Sequence, residues 1–359
     1  MNILIDINHP AHVHYCKNFI LEMQKRGHKI LITAADKEMT YQLLKNYHFD
    51  FIRLGAHRNS MLKKIFFLLE TDFIMYFAAR NFKPDLFLGC GSIRAAHTAT
   101  ILRKPCVNLE DTEDSIGQIR LYRPFVKCIC TPSSFLTPLG DKQVLFDGYL
   151  DLAYLHPKRF TPDPSVLDDL GLAKNERFII VRFISWAASH DIGLKGVQDR
   201  VKIIKELEKF GRVFVSSEKT TDKTLENYKL KIAPEKFHSL LSYAQLYIGE
   251  GGSIATEAAV LGTPSIHIES DSQGVATGYR SGNFCELRDK YGLLFFFPDE
   301  KTALDKAIEI LSDPHSKSEW QKKREKLLKD KIDVTEWLTD FIEDYPESFY
   351  RYKKEHRAV

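Results

Sequence analysis

The stretch from Gly249 to Pro264, GEGGSIATEAAVLGTP, has the residue types and spacing of an anion-binding turn. It follows a strand-like apolar run at 246–248, and Gly251 and Gly252 leave room for backbone N–H groups to approach a ligand. Ser253 is expected to cap the helix that follows, and the helix dipole favours a bound phosphate there. The spacing fits neither G-x-G-x-x-G nor a Walker motif. The pattern therefore predicts either a nucleotide-phosphate site at these residues or a plain strand-to-helix turn.

Two carboxylates of this stretch refine the prediction. Glu257 is expected near the helix start, where it is poorly placed for phosphate but can accept hydrogen bonds from sugar hydroxyls. Glu250 puts a negative charge beside the expected phosphate position. Either Glu250 points away from that position, or the site holds less phosphate than the glycines suggest.

Polar residues also follow other predicted strands. They are Asp6 with the histidine loop 8–14, Gly91-Ser92 with Arg94, Glu110-Asp111, Arg182 with 185–190, and Ser216-Ser217-Glu218. Ligands of α/β proteins bind at the carboxyl ends of parallel strands. If both halves of the chain direct these ends to one cleft, cations and candidate bases meet there, which suits transfer from a nucleotide-activated donor.

The candidate acid and base groups are His12, Glu110, Asp111 and His190. Each has a structural alternative: His12 hydrogen-bonded to backbone at a helix start, the acidic pair in a solvated turn, and His190 in an irregular loop. His9 and His14 share the loop of His12, but their spacing is not that of a metal site, and no metal is expected. Arg182 is expected to bind the donor, with an interdomain ion pair as its alternative.

Composition excludes several classes of protein. The chain has 359 residues, 44% hydrophobic and 28% charged, with a net charge of +3, which does not indicate nucleic-acid binding. Its six cysteines form no CxxC pair, which is typical of a reducing compartment. With no signal-peptide pattern and no apolar run of bilayer length, a cytoplasmic location is expected. The basic, aromatic segment 60–82 is interpreted as a core helix or as a peripheral contact with the inner membrane face.

The elements that must position these residues alternate between strand and helix in both halves of the chain. The pattern predicts an α/β fold of two doubly wound, Rossmann-like domains with parallel sheets facing a central cleft. The expected domains are 1–155, for the acceptor, and 165–330, for the nucleotide-sugar. The segment 331–359 is expected to form a helical tail, for which packing on the N-terminal domain is one arrangement.

Several motifs resemble those of known families. GEGGSIATEAAVLGTPSI resembles the nucleotide-binding signature of GT-B glycosyltransferases, in particular the enzyme that adds N-acetylglucosamine to lipid I. That resemblance implies that Glu257 holds a ribose and that His12 is the active-site histidine. DINHPAHVHYCKNFI, FLGCGS, LEDTE, GYLDLAYLHP and VRFISWAASHDIG together look like family 354 of the unknown-function series, a glycosyltransferase-like family.

A second resemblance, to the non-hydrolysing UDP-N-acetylglucosamine 2-epimerase, gives an alternative. Its strand-end acid matches Glu110 and its glycine pair matches Gly251 and Gly252. Its other catalytic carboxylate falls on Ser92, and this loss argues against epimerisation.

These resemblances imply a metal-independent glycosyltransferase that uses a nucleotide-diphosphate sugar as substrate, with a UDP-sugar as the expected donor, and needs no cofactor. The donor site is expected to comprise a base-binding loop at 233–238 and the residues Arg182, Ser216, Phe237, Gly251, Gly252, Ser253 and Glu257. The acceptor is left open among a polysaccharide, a lipid-linked molecule and a small molecule. An epimerase-like enzyme and a non-catalytic nucleotide-sugar-binding protein are the alternatives.

Overall fold

The computed structural model describes residues 1–56, 61–173, 175–184, 186, 193–217 and 223–356, with the backbone alone at 61–68 and 223. Its strands are β1 (Asn2–Ile7), β2 (Lys29–Asp36), β3 (Ile52–Ala56), β4 (Leu86–Cys90), β5 (Cys106–Leu109), β6 (Cys128–Pro132), β7 (Gln143–Phe146), β8 (Phe178–Phe183), β9 (Arg212–Ser217), β10 (Leu246–Gly249), β11 (Ser265–Ile268) and β12 (Leu294–Phe297).

The helices bring the strands into parallel alignment by returning the chain across the sheets. They are α1 (Pro10–Lys25), α2 (Thr40–Asn46), α3 (Met61–Phe82), α4 (Ile93–Ile101), α5 (Ile116–Tyr122), α6 (Leu152–Leu155), α7 (Ser165–Asp169), α8 (Arg200–Leu207), α9 (Phe237–Tyr243), α10 (Gly252–Leu261), α11 (Gly282–Asp289), α12 (Glu300–Ser312), α13 (Ser316–Asp330), α14 (Val334–Glu343) and α15 (Glu347–Glu355). Two compact units result: unit 1 comprises 1–159 and 332–359, and unit 2 comprises 160–331.

Unit 1 contains a seven-stranded sheet in the order β3-β2-β1-β4-β5-β6-β7, with every pair parallel. The strands β4, β5 and β6 are buried along their whole length, as expected of strands covered by helices on both faces. The order of the strands reverses between β1 and β4. This is the switch point, where ligands of open α/β sheets bind.

Unit 2 contains a five-stranded parallel sheet in the order β12-β11-β10-β8-β9. The short strand β10 is central and fully buried. Its neighbours are β8 and β11, so the switch point of this sheet lies between β8 and β10. The glycine-rich turn after β10 is therefore positioned at that switch point.

The C-terminal helices α14 and α15 belong to unit 1. Asp333 accepts hydrogen bonds from the first amides of α14, and its carboxylate also accepts one from Arg159 Nε at 2.8 Å. The Thr335 hydroxyl donates to the Ala153 carbonyl at 2.6 Å. These buried contacts attach the returning chain to the segment that leaves the unit.

The predicted α/β architecture of two Rossmann-like, parallel-sheet domains is confirmed. Helix α5 was not predicted, because the acidic stretch before it resembles a loop. Within the ranges given above, no helix combines the length and the apolarity that a membrane crossing would need.

Candidate functional site

In unit 2, two residues predicted to bind the donor, Arg182 and Ser216, align in one row with Gly249 near the carboxyl ends of the strands. Gly249 of β10 is in register with Arg182 of β8, which is in register with Ser216 of β9. Arg182 Nη1 donates a hydrogen bond to Ser216 Oγ at 3.0 Å. The row thus places the Arg182 backbone beside Gly249 at the switch point, while the Arg182 guanidinium contacts Ser216 of β9.

The turn itself depends on its glycines. A Cβ atom on Gly249 would lie 2.3 Å from the Arg182 carbonyl oxygen, so β10 approaches β8 too closely for a side chain there. Gly251 has φ +88°, a left-handed value that L side chains rarely adopt. Helix α10 then begins at Gly252 without a side-chain cap, and both Gly252 and Ser253 are exposed.

The expectation that Ser253 caps α10 is wrong. The helix begins one residue before Ser253, so its hydroxyl cannot occupy the capping position. An end without a side-chain cap presents N–H groups that lack intrahelical partners. These groups are suited to bind an anion such as a diphosphate.

The Glu250 carboxylate is held by two backbone N–H groups from the segment between β8 and α8. It is 0% exposed and accepts hydrogen bonds from the amides of Ile184 and Val197, each at 2.8 Å. Burial is the main cause that raises the pKa of Glu250, and the two amides and Arg200, 4.0 Å away, oppose it. The Glu250 carboxylate is therefore bound by these two amides and does not cap the open end of α10.

Glu257 lies in the second turn of α10, further along than the sequence suggested, and is 5% exposed. Its Oε1 is 3.1 Å from His238 Nε2. His238 follows Phe237 at the start of α9, and the two rings meet edge to face at 6.1 Å between centroids. The predicted ribose carboxylate and the predicted base-binding loop are thus in direct contact.

In unit 1, the switch point holds a buried polar network that the sequence did not predict in detail. The Asp6 carboxylate is 0% exposed and accepts hydrogen bonds from Ser92 Oγ at 2.5 Å, Thr33 Oγ1 at 2.9 Å and Arg94 Nη2 at 3.2 Å. Arg94 also donates to Asn8 Oδ1. The network fixes the histidine loop to the start of α4.

Glu110 follows β5 and is 6% exposed. Its carboxylate accepts hydrogen bonds from the Tyr122 hydroxyl at 2.8 Å and from the Thr112 amide at 3.2 Å. Burial, assisted by the charge of Asp111, raises the pKa of Glu110 to about 7 against these hydrogen bonds. A carboxylate with that pKa can take up and release a proton near neutral pH.

Asp111 and His12 are linked through Tyr15. The Tyr15 hydroxyl donates to Asp111 Oδ2 at 3.1 Å, and the Tyr15 ring stacks on the His12 ring at 6.1 Å between centroids. Burial raises the pKa of Asp111. The structure therefore brings together three residues of which the sequence predicted two.

The surroundings of His12 keep its imidazole ring neutral. Burial, with the charges of Lys37 and Arg94, lowers the pKa of His12 to about 3, so the ring is neutral. Its Nδ1 accepts a hydrogen bond from the Asn8 amide at 3.3 Å, which leaves the ring proton on Nε2. In this state Nε2 donates a hydrogen bond and cannot accept a proton.

The remaining predictions concern His190 and metal. His190 lies outside the described residues. Within the described part of the chain, no group of three or more His, Cys, Asp or Glu side chains could hold a metal ion. Tyr15 and Tyr122 were missed because single tyrosines in apolar helical patterns carry no distinguishing signal.

Comparison with known proteins shows that this fold is similar to those of UDP-N-acetylglucosamine 2-epimerases and glycosyltransferases. The crystal structure of a putative UDP-N-acetylglucosamine 2-epimerase from Listeria monocytogenes has a TM-score of 0.65 at 11% identity, covering 98% of this chain and 96% of that one. The UDP-N-acetylglucosamine 2-epimerase of Neisseria meningitidis, solved with UDP-GlcNAc, has a TM-score of 0.65 at 14% identity, covering 95% and 99%. The glycosyltransferase SsfS6 of Streptomyces sp. SF2575, solved with thymidine diphosphate, has a TM-score of 0.60 at 14% identity, covering 96% and 99%.

At these identities the likeness shows the fold, which is that of the two α/β domains of GT-B glycosyltransferases and UDP-GlcNAc 2-epimerases. An uncharacterized protein of Methanocaldococcus jannaschii is 26% identical over 279 residues, which cover 74% of this chain and 81% of that protein. The model of a protein family of unknown function, DUF354, matches residues 1–276. The chain therefore belongs to the DUF354 family.

Proposed function

We propose that this protein transfers a sugar from a nucleotide-diphosphate donor, with uridine as the nucleoside, to an acceptor that is still to be identified. The observation that carries the proposal is the switch point of unit 2. There, the uncapped end of α10 follows β10, and Arg182 lies near the end of the neighbouring strand β8. Together they supply the N–H groups and the positive charge that a diphosphate requires.

The donor would be oriented by groups on both sides of the open helix end. Gly251, Gly252 and Ser253 would bind the diphosphate, and Glu257 would accept hydrogen bonds from the ribose hydroxyls. The contact of Glu257 with His238 connects the ribose position to the base-binding loop that includes Phe237. Charged hydrogen bonds of this kind contribute about 1.5–3 kcal/mol each.

The transfer step needs a base for the acceptor hydroxyl and a cation for the leaving diphosphate. Glu110, with its pKa of about 7, would remove the acceptor proton. The C–O bond between the sugar and the diphosphate breaks as the acceptor oxygen bonds to the anomeric carbon. Arg182 and the α10 amides would stabilise the charge that develops on the diphosphate, a role that metal ions have in other transferases.

Of the two roles expected for His12, deprotonation or orientation of the acceptor, this scheme uses the second. With its proton on Nε2, His12 would donate a hydrogen bond to the acceptor. Asp111 would hold Tyr15 and raise the pKa of Glu110 through its charge. His190 stays a predicted acid/base or diphosphate-binding group.

A thermal-shift panel of UDP, GDP, CMP, dTDP and their sugars tests the donor site. A ligand present at 100 times its Kd adds about 2.7 kcal/mol to the unfolding free energy, so UDP or a UDP-sugar should raise the Tm clearly. Glu257→Ala should weaken nucleotide binding roughly 5–150-fold, which corresponds to about 1–3 kcal/mol. Glu309→Ala is the matched control, because the Glu309 side chain is 68% exposed. If no nucleotide or nucleotide-sugar in the panel changes the Tm, the proposed nucleotide-sugar site is refuted.

An epimerase-like reaction is the second candidate, favoured by the carboxylate pair Glu110 and Asp111 at one strand end. Epimerisation at C2 removes and returns a proton, so incubation of UDP-N-acetylglucosamine in D2O without acceptor should place deuterium at C2. Transfer requires an acceptor and leaves C2 protonated. A protein that binds the donor but yields neither product with any acceptor is a nucleotide-sugar-binding protein.

A further inference from the structure

Helix α3 presents a row of large apolar side chains to solvent. Leu69, Phe73 and Phe77 are 51%, 65% and 59% exposed. Their spacing of four residues places them on one face of the helix. The opposite face, with Met75 and Ala79, is fully buried in unit 1. Exposed apolar residues are common singly, but a row of them on one face indicates an interaction surface.

The exposed apolar surface continues onto α4 and α5. Ile101 at the end of α4 is 65% exposed, Leu121 near the end of α5 is 56% exposed, and Phe125, three residues after α5, is 40% exposed. His97 of α4 connects the two parts: its Nδ1 is 3.1 Å from Asp72 Oδ2 of α3, and its ring meets the Phe125 ring edge to face at 4.8 Å. We call these six exposed apolar side chains, with His97, the α3–α5 face.

Basic side chains border this face beside Phe125. Arg120 and Lys127 are exposed, and Lys142 donates hydrogen bonds to the carbonyls of Arg123 at 2.8 Å and of Pro124 at 3.1 Å. Burial, with the positive charges of Lys127 and Arg123, lowers the pKa of Lys142. The mutual repulsion of these cations would be relieved by an anionic surface.

We propose that the α3–α5 face binds the surface of a membrane that contains anionic lipids. Aromatic and aliphatic side chains on the outer face of a helix can enter the headgroup region, while neighbouring cations contact anionic headgroups. Each Lys or Arg near such a surface strengthens binding about fivefold. A two-fold contact between copies of this chain is disfavoured, because a symmetric interface would bring the basic border close to its own copy.

This proposal goes beyond the sugar-transfer function and does not depend on it. The face lies on the helices α3, α4 and α5, and the donor-binding residues belong to unit 2. A failure of vesicle binding would therefore leave the nucleotide-binding test untouched, and the reverse holds as well.

The test is co-sedimentation of the full chain with vesicles of phosphatidylcholine alone and of phosphatidylcholine mixed with phosphatidylglycerol. The wild-type protein should bind the mixed vesicles, and added salt should weaken binding because it screens the cations. Phe73→Ser with Phe77→Ser should reduce the partition coefficient roughly tenfold or more. Leu21→Ser, at an exposed position of α1, is the matched control and should bind like the wild type.

A charge variant tests the basic border separately. Arg120→Gln with Lys127→Gln should reduce binding to the mixed vesicles and abolish most of its salt dependence. Circular dichroism and the Tm of each variant verify the fold. Absence of vesicle binding, or binding unchanged in both double variants, would overturn the proposal. A monomer–dimer equilibrium that Phe73→Ser with Phe77→Ser abolishes, without vesicle binding, would assign the face to contacts between copies.

Discussion

The hydroxyl of Tyr122 should control the pKa of Glu110. Burial and then the charge of Asp111 raise this pKa, the hydrogen bond from Tyr122 is the first of the contributions that lower it, and the resulting pKa is about 7. Tyr122→Phe removes this donor, 2.8 Å from Glu110 Oε2, and keeps the fully buried ring. The ionised carboxylate then loses a partner, so its pKa must rise.

The size of this rise follows from the hydrogen bond. A hydrogen bond to a charged group contributes about 1.5–3 kcal/mol, and one pKa unit corresponds to about 1.36 kcal/mol. Tyr122→Phe should therefore raise the pKa of Glu110 by about 1–2 units, from about 7 to about 8–9. The acid limb of any transfer activity that uses Glu110 as base should move to higher pH by the same amount.

The carboxyl titration can be measured without knowledge of the substrate. In protein labelled with ¹³C at the glutamate carboxyl, the Glu110 signal is the one absent from the spectrum of Glu110→Gln. Tyr247→Phe is the matched control, since Tyr247 is a buried tyrosine of unit 2 whose hydroxyl donates to the Glu250 carbonyl at 3.1 Å. An unchanged or lowered midpoint in Tyr122→Phe would refute the assignment of this hydrogen bond to the charged form.

Further predictions concern stability and the glycine-rich turn. The Glu110 pKa rises from 4.5 to about 7 on folding, so its stabilising contribution is complete below pH 4.5 and is lost as pH rises through about 7. Relative to Glu110→Gln, the wild type should lose about 3 kcal/mol of unfolding free energy over that range in urea titrations. Glu250→Ala removes the acceptor of the buried Val197 amide and of the partly buried Ile184 amide and should cost about 2–6 kcal/mol of unfolding free energy, against less than about 0.5 kcal/mol for the exposed control Glu309→Ala. Gly251→Ala should lower both the Tm and the affinity for UDP, because the φ of Gly251 is +88°. Gly252→Ala should keep the Tm, because a Cβ atom there would lie no closer than 3.6 Å to its nearest neighbour, Phe284 Cζ. Equal effects of the two changes would contradict this account of the turn.

The fold was predictable because its signals are local. Buried strands such as β4 and β6 are short apolar runs bounded by Pro or Gly, and α10 ends where Gly262 occurs. The position of the glycine-rich turn at a strand end follows from the same local pattern. Which strands lie beside this turn in the sheet could be determined only from the structure.

The partners of the site residues were not predictable, because they come from distant parts of the chain. Tyr15 reaches Asp111 across 96 residues, and Glu250 reaches Ile184 across 66. The periodicity of a sequence does not specify from which backbone amide a carboxylate will accept a hydrogen bond. The direction of Glu250, which the sequence left open between two alternatives, is decided by these long-range contacts.

The polar network around Asp6 bears on the choice between transfer and epimerisation. In the resemblance to the epimerase, that enzyme's second catalytic carboxylate corresponds to Ser92 of this chain. The structure places another carboxylate beside Ser92, because Asp6 Oδ2 lies 2.5 Å from Ser92 Oγ. However, Asp6 is 0% exposed and is held by Thr33 and Arg94 as well, so it cannot reach a substrate carbon without breaking buried charged hydrogen bonds. Glu110 is then the carboxylate of this switch point best suited to move a proton near neutral pH. One such base is sufficient to deprotonate an acceptor hydroxyl, whereas removing and returning a proton at C2 with inversion requires groups on both faces of the sugar, and this favours transfer.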